Sequence, residues 1–285
     1  MQTALILCRF AHFWVLLTLF GICLSQELLL RPLLTRMRHL QSPRLTFWLA
    51  ALALLSAIAW LMLTAASMAS SWADAIDPAT LLLVLGHTSF GTFWGWHIGL
   101  NLVLLVTLFL AGNRWLRLLL VTLLLATLAP VGHVAMFEGV YGQLLIFNQF
   151  IHLVAVGAWL GGLCLLLVAL RQHADVGMRA LLLRFGGFGY VMVALIIATG
   201  LINVRVMSGA PWPTPAFSGF GLVLAVKVAM VLCMLFLALF NRLMLNRTHL
   251  RLDILRTSVM VECLFGMAAL MAVSLLGTLP PMLAD

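Results

Sequence analysis

The chain has 285 residues, of which 64% are hydrophobic and 8% are charged, with a formal net charge of +8 and a mean hydropathy of +1.16. Soluble globular domains carry about 25% charged residues, so this composition excludes a soluble fold and indicates a protein that lies within a lipid bilayer. A net charge of this sign also suggests nucleic-acid binding, but the placement of the basic residues, described below, excludes that class.

Eight apolar runs follow one another along the chain. Each has about the ~20 residues that a helix needs to cross a ~30 Å hydrocarbon core. None alternates with the period of a β-strand, so helices rather than a barrel are expected. The runs cover residues 4–30, 45–67, 91–111, 115–133, 146–170, 183–205, 219–240 and 257–278. The predicted fold is therefore an all-α integral membrane protein, a bundle of about eight transmembrane helices.

Two segments need separate interpretation. The first run, 4–30, lies where a signal peptide would, but Arg9 interrupts it and no A-x-A cleavage site follows, so we expect a retained membrane helix. A shorter run, 80–86, is too short to span and is expected at the membrane interface. We predict one polytopic membrane domain over residues 1–285, with four helices in 1–140 and four in 141–285.

Most of the basic residues lie in alternate loops. Thirteen of the 16 Lys and Arg follow the first, third, fifth and seventh runs: Arg31, Arg36, Arg38, Arg44, Arg114, Arg117, Arg171, Arg179, Arg184, Arg242, Arg247, Arg251 and Arg256. The opposite loops hold Arg205, Asp74, Asp77 and Glu138. Arginine-rich loops remain in the cytoplasm. The bias therefore predicts that both termini are periplasmic, and it explains the positive charge without a nucleic-acid partner.

The eight histidines divide by this topology. Three lie in the arginine-rich loops, where a solvated surface position is expected: His39, His173 and His249. The other five lie toward the periplasm: His12, His87, His97, His133 and His152. Ionisable groups within a membrane usually mark a functional site, and imidazole binds copper, zinc and haem iron. We predict a metal site of His12, His133 and His152, assisted by His97 or Met136. The alternative is that these histidines are neutral and only pack between helices.

Helical spacing predicts that two of these histidines face inward. The shared faces carry Trp94, His97 and Asn101 on the third run, and Asn148, His152 and Trp159 on the fifth. Asn101 and Asn148 are candidates to orient the imidazoles from outside the ligand set. A polar packing stripe between helices is the alternative interpretation of the same spacing.

Two charged residues lie deep within apolar runs. Lys227 and Glu262 are separated by ~10 Å of depth, from the rise of a helix and the thickness of the core. They are either a structural ion pair or part of a relay that carries protons or ions.

The sequence resembles the CopD/PcoD family of copper-resistance membrane proteins. The central segment that carries this resemblance is Asn148-Gln-Phe-Ile-His152-Leu-Val-Ala-Val-Gly-Ala-Trp159-Leu-Gly161-Gly162-Leu. Further matching stretches are Arg9-Phe10-Ala11-His12-Phe13, Gly91-Thr-Phe-Trp94, Val131-Gly132-His133 with Glu138-Gly139, Arg184-Phe185, Thr199-Gly200-Leu-Ile-Asn203, Lys227 and Asn241-Arg242. The resemblance extends over nearly the whole chain in order.

The resemblance implies a bacterial inner-membrane protein that handles copper. It also implies a small periplasmic copper-binding partner of the CopC type. His12, His133 and His152 occupy matching positions, whereas relatives carry other polar residues at the position of His97, and His87 has no match. The expected function is copper transport or homeostasis, without catalysis. Two alternatives remain at this stage: an electron carrier that binds haem b through the same histidines, and a membrane scaffold whose histidines are structural.

Overall fold

The computed structural model describes residues 1–30, 43–110, 112–132, 136–171, 178–209, 212–213, 218–245 and 251–278. These residues form nine α-helices and no β-strand, which confirms the all-α prediction. The helices are α1 (Gln2–Ser25), α2 (Pro43–Ala69), α3 (Pro78–His87), α4 (Ser89–Phe109), α5 (Arg114–Leu128), α6 (Gly139–Arg171), α7 (Met178–Ser208), α8 (Gly219–Leu245) and α9 (Leu252–Leu276). A π-helical turn, Gln26–Leu30, extends α1.

Seven helices in the described part of the chain are long and apolar enough to cross a membrane: α1, α2, α4, α6, α7, α8 and α9. α5 has 15 residues, which corresponds to about 22 Å and is shorter than a ~30 Å core. By length, the described residues show seven candidate spans, and the predicted eighth is not confirmed by length. Arg114 and Arg117 at its start and Pro130 just after its end limit the apolar helix.

α3 has ten residues, about 15 Å, so it is too short to span, as its sequence predicts. Asp77 caps it, because the carboxylate accepts hydrogen bonds from the backbone N–H and the hydroxyl of Thr80, at 2.9 and 2.7 Å. These hydrogen bonds lower the pKa of Asp77. Pro78 occupies the first helical position, where its missing N–H is not needed.

α1 lies at the centre of the bundle. It contacts α2 and α5 in the N-terminal half and α6 and α9 in the C-terminal half. Leu16, Leu17 and Leu19 on this helix are almost completely buried. α4 packs on α2 and α5, while α7 packs on α6 and α8 packs on α9. α1 thus belongs to two groups of contacting helices at once.

Three glycines allow α1 and α6 to touch through their backbones. A Cβ atom at Gly161 would lie 2.5 Å from Cα of Gly21 and 2.7 Å from its carbonyl carbon. A Cβ atom at Gly157 would lie 3.0 Å from Cδ1 of Phe20. Small residues of this kind bring membrane helices together where no larger side chain would fit.

Two side-chain contacts define the ends of the bundle. Arg9 donates from Nη1 to the carbonyl oxygen of Gly277 at 2.9 Å, so α1 begins beside the end of α9. Glu27, on the turn after α1, lies 3.5 Å from Nε of Arg114, measured from its Oε2. The end of α1 and the start of α5 therefore lie together at the other end of the bundle.

Candidate functional site

His12 and His97 form a pair within the group of helices made by α1, α2, α4 and α5. His12 lies on α1 and His97 on α4, and the centres of their rings are 5.0 Å apart with an interplanar angle of 63°. Both side chains are completely buried. The structure thus brings together two of the histidines that the sequence assigns to a metal site.

Two tryptophans enclose this pair. Trp94 stacks on His97 with ring centres 4.8 Å apart, and His12 lies 5.5 Å from both Trp60 and Trp94. The indole of Trp94 donates to the carbonyl oxygen of Ala57 at 2.9 Å, which fixes α4 against α2. The imidazoles consequently lie in an apolar aromatic surrounding, where electrostatic interactions are stronger than in water.

Ser56 on α2 is the hydrogen-bond partner of Nδ1 of His12. Nδ1 of His12 lies 2.9 Å from Oγ of Ser56. The serine hydroxyl has one proton, and the carbonyl oxygens of Leu52 at 2.8 Å and of Ala53 at 3.0 Å on α2 are acceptors for it. With that proton on a carbonyl oxygen, Nδ1 of His12 is the donor to Ser56 and Nε2 keeps its lone pair.

Thr127 on α5 holds His97 in the same way. Nδ1 of His97 lies 2.8 Å from Oγ1 of Thr127, and that hydroxyl donates to the carbonyl oxygen of Leu124 at 2.9 Å. Within the described residues, Nε2 of His12 and Nε2 of His97 are both buried without a hydrogen-bond partner. With the proton on Nδ1, each Nε2 carries a lone pair that can bind a metal ion.

His152 on α6 lies in a different cluster with the same local arrangement. Its Nδ1 lies 2.8 Å from Oγ1 of Thr199 on α7, and Thr199 donates to the carbonyl oxygen of Leu195. The hydrogen bonds of Asn148 in the described residues go to α7 and not to the imidazole: it donates to the carbonyl oxygen of Thr199 at 3.2 Å and to Oδ1 of Asn203 at 2.8 Å. It therefore holds α7 against α6 beside His152.

A cavity of about 120 Å³ opens beside His152, and we call it the outer cavity after the side of the membrane that the sequence predicts for His152. Its polar lining residues are Gln149, His152, Asn203 and Lys227. Trp159, Leu160, Met234 and Gly266 also line it. A cation in this cavity would meet both an imidazole and the charge of Lys227.

A second cavity, of about 160 Å³, lies farther along the same helices, and we call it the inner cavity. Its polar lining residues include Tyr190, Asn241, Arg242 and Glu262. Oε2 of Glu262 accepts from Nδ2 of Asn241 at 3.2 Å. Within the described residues, Oε1 of Glu262 is buried and has no hydrogen-bond partner.

Lys227 and Glu262 do not form an ion pair with each other in the described structure, where the salt bridges are Arg114–Glu27 and Arg251–Asp253. They line different cavities, and Trp159 lines both of them. The geometry thus separates the two charges that the sequence places at neighbouring depths.

The remaining candidate residues lie elsewhere. His133 is outside the described residues. Met136 is 56% exposed, and His87 is exposed at the end of α3. Asn101 is completely buried; with its amide nitrogen toward α2 it pairs with the carbonyl oxygen of Ala50 at 3.1 Å, so it does not orient His97. In the described part of the chain, no group of three His, Cys, Asp or Glu residues is close enough to hold a metal ion.

The geometry of the histidine pair does not support a haem between the two rings. A haem with two axial histidines lies between their imidazoles. Ring centres 5.0 Å apart leave no space for the macrocycle, and Trp94 covers the face of His97.

Ser56 and Thr127 are the residues of the candidate site that the sequence analysis did not identify. Hydroxyl side chains within apolar helices usually bond to their own backbone, so neither residue is conspicuous in the sequence. A signal was present, because Ser56 and Thr127 lie in predicted spans close to those of His12 and His97. This signal can be interpreted only when it is known which helices face each other.

Two family models match this chain. The model described as "Copper resistance protein D-like, N-terminal domain" matches residues 1–144. The model described as "Copper resistance protein D" matches residues 179–276.

Individual proteins are also similar. "Inner membrane protein YebZ" of Escherichia coli (strain K12) is 32% identical over 287 aligned residues, which cover 96% of this chain and 97% of that protein. "Copper resistance protein D" of Pseudomonas syringae pv. tomato is 31% identical over 197 residues, which cover 65% of this chain and 63% of that protein. No solved structure matches the chain.

Proposed function

This chain belongs to the copper resistance protein D family and is a multi-pass protein of the bacterial inner membrane, and on that basis we propose that it takes copper at a histidine site near the periplasm and moves it across the membrane. In this role it contributes to copper resistance or copper uptake. Copper is the substrate, and the protein acts without catalysis.

The observation that carries this proposal is the pair of bare imidazole nitrogens, Nε2 of His12 and Nε2 of His97. Imidazole is a good copper ligand, and a ligating histidine nearly always donates its other N–H to a fixed acceptor. Ser56 and Thr127 are such acceptors. Two fixed nitrogen donors in an apolar surrounding suit Cu(I), which accepts a low coordination number.

His133 and Met136 are proposed as the outermost ligands, which receive copper first. Both follow α5, whose Thr127 holds His97. The thioether of Met136 is a soft ligand for Cu(I), and its 56% exposure makes it accessible from outside the bundle. A periplasmic copper-binding protein of the CopC type is the proposed donor.

His152, Lys227 and Glu262 are proposed to act farther along the path. His152 offers copper a nitrogen in the outer cavity, and Lys227 in the same cavity opposes the accumulation of positive charge. Glu262 in the inner cavity is proposed to balance the charge of copper or to exchange a proton. Asn148 and Trp159 support this path, the first by holding Asn203 and the second by separating the cavities.

We further propose eight crossings with both termini in the periplasm. The hydrogen bond from Arg9 to Gly277 supports this proposal, because α1 can begin beside the end of α9 only if the number of crossings between them is even. The seven long helices become eight when α5 is included. The arginine-rich loops then all lie in the cytoplasm.

Fusions to alkaline phosphatase, which is active only in the periplasm, test whether α5 crosses. A fusion after Asn113 should be inactive, and a fusion after Glu138 should be active, because α5 lies between them. Activity is measured in intact cells and divided by the amount of fusion protein on immunoblots. Equal activity of the two fusions would contradict a crossing by α5.

Replacing Thr127 with valine should lower the copper affinity of the histidine pair by about 10–100-fold, the usual effect of removing a partner of a ligating histidine. Valine has a similar shape but offers no hydrogen-bond partner to Nδ1, so the imidazole of His97 can take either tautomer. The measurement is copper bound to purified protein against a competing chelator. Thr122→Val is the matched control, because Thr122 on the same helix bonds only to the carbonyl oxygen of Leu118. Equal effects of both substitutions would show that the hydroxyl of Thr127 has no specific role.

The same purified protein distinguishes the alternative functions. Bound copper without a Soret band supports the copper proposal. A Soret band would favour an electron carrier with haem held outside the His12–His97 pair. A folded protein that binds neither copper nor haem would favour a scaffold.

A further inference from the structure

Two cysteine thiols meet in the interior of the C-terminal helices. Cys164 on α6 and Cys263 on α9 interact through their side chains. Both are free thiols, and Cys263 is only 7% exposed. The proposed path through His152 does not account for them.

The packing of α6 on α9 explains why the thiols are opposite each other. A Cβ atom at Gly266 would overlap Cδ2 of Leu160, so the helices approach closely there. Cys164 lies one helical turn after Leu160, and Cys263 lies almost one turn before Gly266. In antiparallel helices these two steps lead in the same direction, which brings the thiols together.

A third sulfur atom lies nearby, in the wall of the outer cavity. Sδ of Met234 would lie 3.7 Å from a Cβ atom at Gly266, and Met234 is buried. Met234, Leu160 and Gly266 line the outer cavity. Leu163 and Glu262, the sequence neighbours of the two cysteines, line the inner cavity. The thiols therefore lie at the level between the two cavities.

We propose that Cys164 and Cys263 form a second metal site, which binds Cu(I) through two sulfur atoms, with the thioether of Met234 on its outer side. This inference rests on the proposed copper function and extends it. Thiolate and thioether ligands select Cu(I). A bis-sulfur site also needs only two ligands, which agrees with the absence of a three-residue cluster in the described part of the chain.

The charge balance of this site suits an apolar bundle. When Cu(I) binds, one thiol loses its proton and becomes a thiolate, while the other remains a neutral donor. The bound group then carries no net charge, so it avoids the large cost of a charge within the membrane. The displaced proton leaves to water through the inner cavity, next to Glu262. No oxidation or reduction is involved.

Titration of the purified protein with Cu(I) under reducing conditions, against a chromophoric Cu(I) chelator, tests this site. The variant C164S/C263S should lose one equivalent of bound Cu(I), together with the ultraviolet charge-transfer absorption of sulfur bound to Cu(I). C233S is the matched control, because Cys233 is exposed on α8, and it should bind as the unmodified protein does. If C164S/C263S still binds the equivalent of Cu(I) that is held by His12 and His97, this variant is folded.

The outcomes separate this inference from the proposed function. If C164S/C263S keeps the same stoichiometry and the same absorption, the thiol site is overturned and the histidine site stands. If H12A/H97A loses no copper but C164S/C263S does, the thiol site stands and the histidine site fails. X-ray absorption of the unmodified protein with two equivalents of Cu(I) provides a measurement without a variant. Scattering from nitrogen alone would overturn the inference.

Discussion

Replacing His12 and His97 together with alanine should abolish tight copper binding at this histidine pair, with a loss of affinity greater than ~100-fold. Removing the hydrogen-bond partner of a ligand already costs about 10–100-fold, and here both ligands are removed. The remaining space is bounded by Trp60 and Trp94, and no other described side chain in contact with the pair offers an imidazole in place of the lost ones. The measurement is the amount of copper bound per purified protein at fixed concentrations of a competing chelator.

His87→Ala is the matched control for this experiment. The sequence predicts that His87 lies on the same side of the membrane as His12 and His97, but His87 is exposed at the end of α3. Its loss should therefore leave the copper affinity unchanged. Each single variant should weaken binding less than the double variant, because one nitrogen remains. A double variant that binds copper as tightly as the unmodified protein would remove His12 and His97 from the proposed path.

The sequence predicted which faces of the helices are buried. The spacing of Trp94, His97 and Asn101 indicated one inward face on α4, and all three side chains are completely buried. Apolar runs likewise located the long helices, because hydrophobic length is a property of each segment alone. Length does not confirm the run at 115–133 as a span, since its regular helix ends at Leu128.

The sequence could not predict which helices face each other. A helical period predicts that His97 and His152 face inward, but it does not show that His97 faces His12 on α1 while His152 faces α7. The same reason applies to Lys227 and Glu262, which are close in depth but line separate cavities. It also applies to Cys164 and Cys263, which are remote in sequence and meet only through the packing of α6 on α9.

The hydroxyl partners are a further feature that only the tertiary contacts reveal. Nδ1 of each of the three histidines lies within 2.9 Å of a hydroxyl that also bonds to a carbonyl oxygen in the preceding turn. With the proton on Nδ1, Nε2 keeps its lone pair in all three cases. A purely structural histidine has no need for the same tautomer at each position, so the repetition supports a ligand role for His152 as well as for the pair.

Gly161→Ala should destabilise the protein strongly, although alanine is the better helix former. Helix propensity alone favours alanine over glycine by about 1 kcal/mol. The new methyl group, however, would lie 2.5 Å from Cα of Gly21 and 2.8 Å from the backbone nitrogen of Ile22. Backbone atoms cannot rotate away as a side chain can, so α1 and α6 must separate, at a cost of about 3 kcal/mol or more. Unfolding by heat or by a denaturing detergent, followed by circular dichroism, measures the loss.

Gly187→Ala separates the packing effect from the helix propensity. Gly187 lies within α7, and a Cβ atom there would meet no other atom within 4 Å. Only propensity remains, so this substitution should leave the free energy of unfolding unchanged or raise it by up to about 1 kcal/mol. If Gly161→Ala behaved like Gly187→Ala, the backbones of α1 and α6 would not be in contact at this point. Because α1 carries His12 and α6 carries His152, that result would also remove the fixed spacing between the histidine pair and the outer cavity, on which a continuous copper path depends.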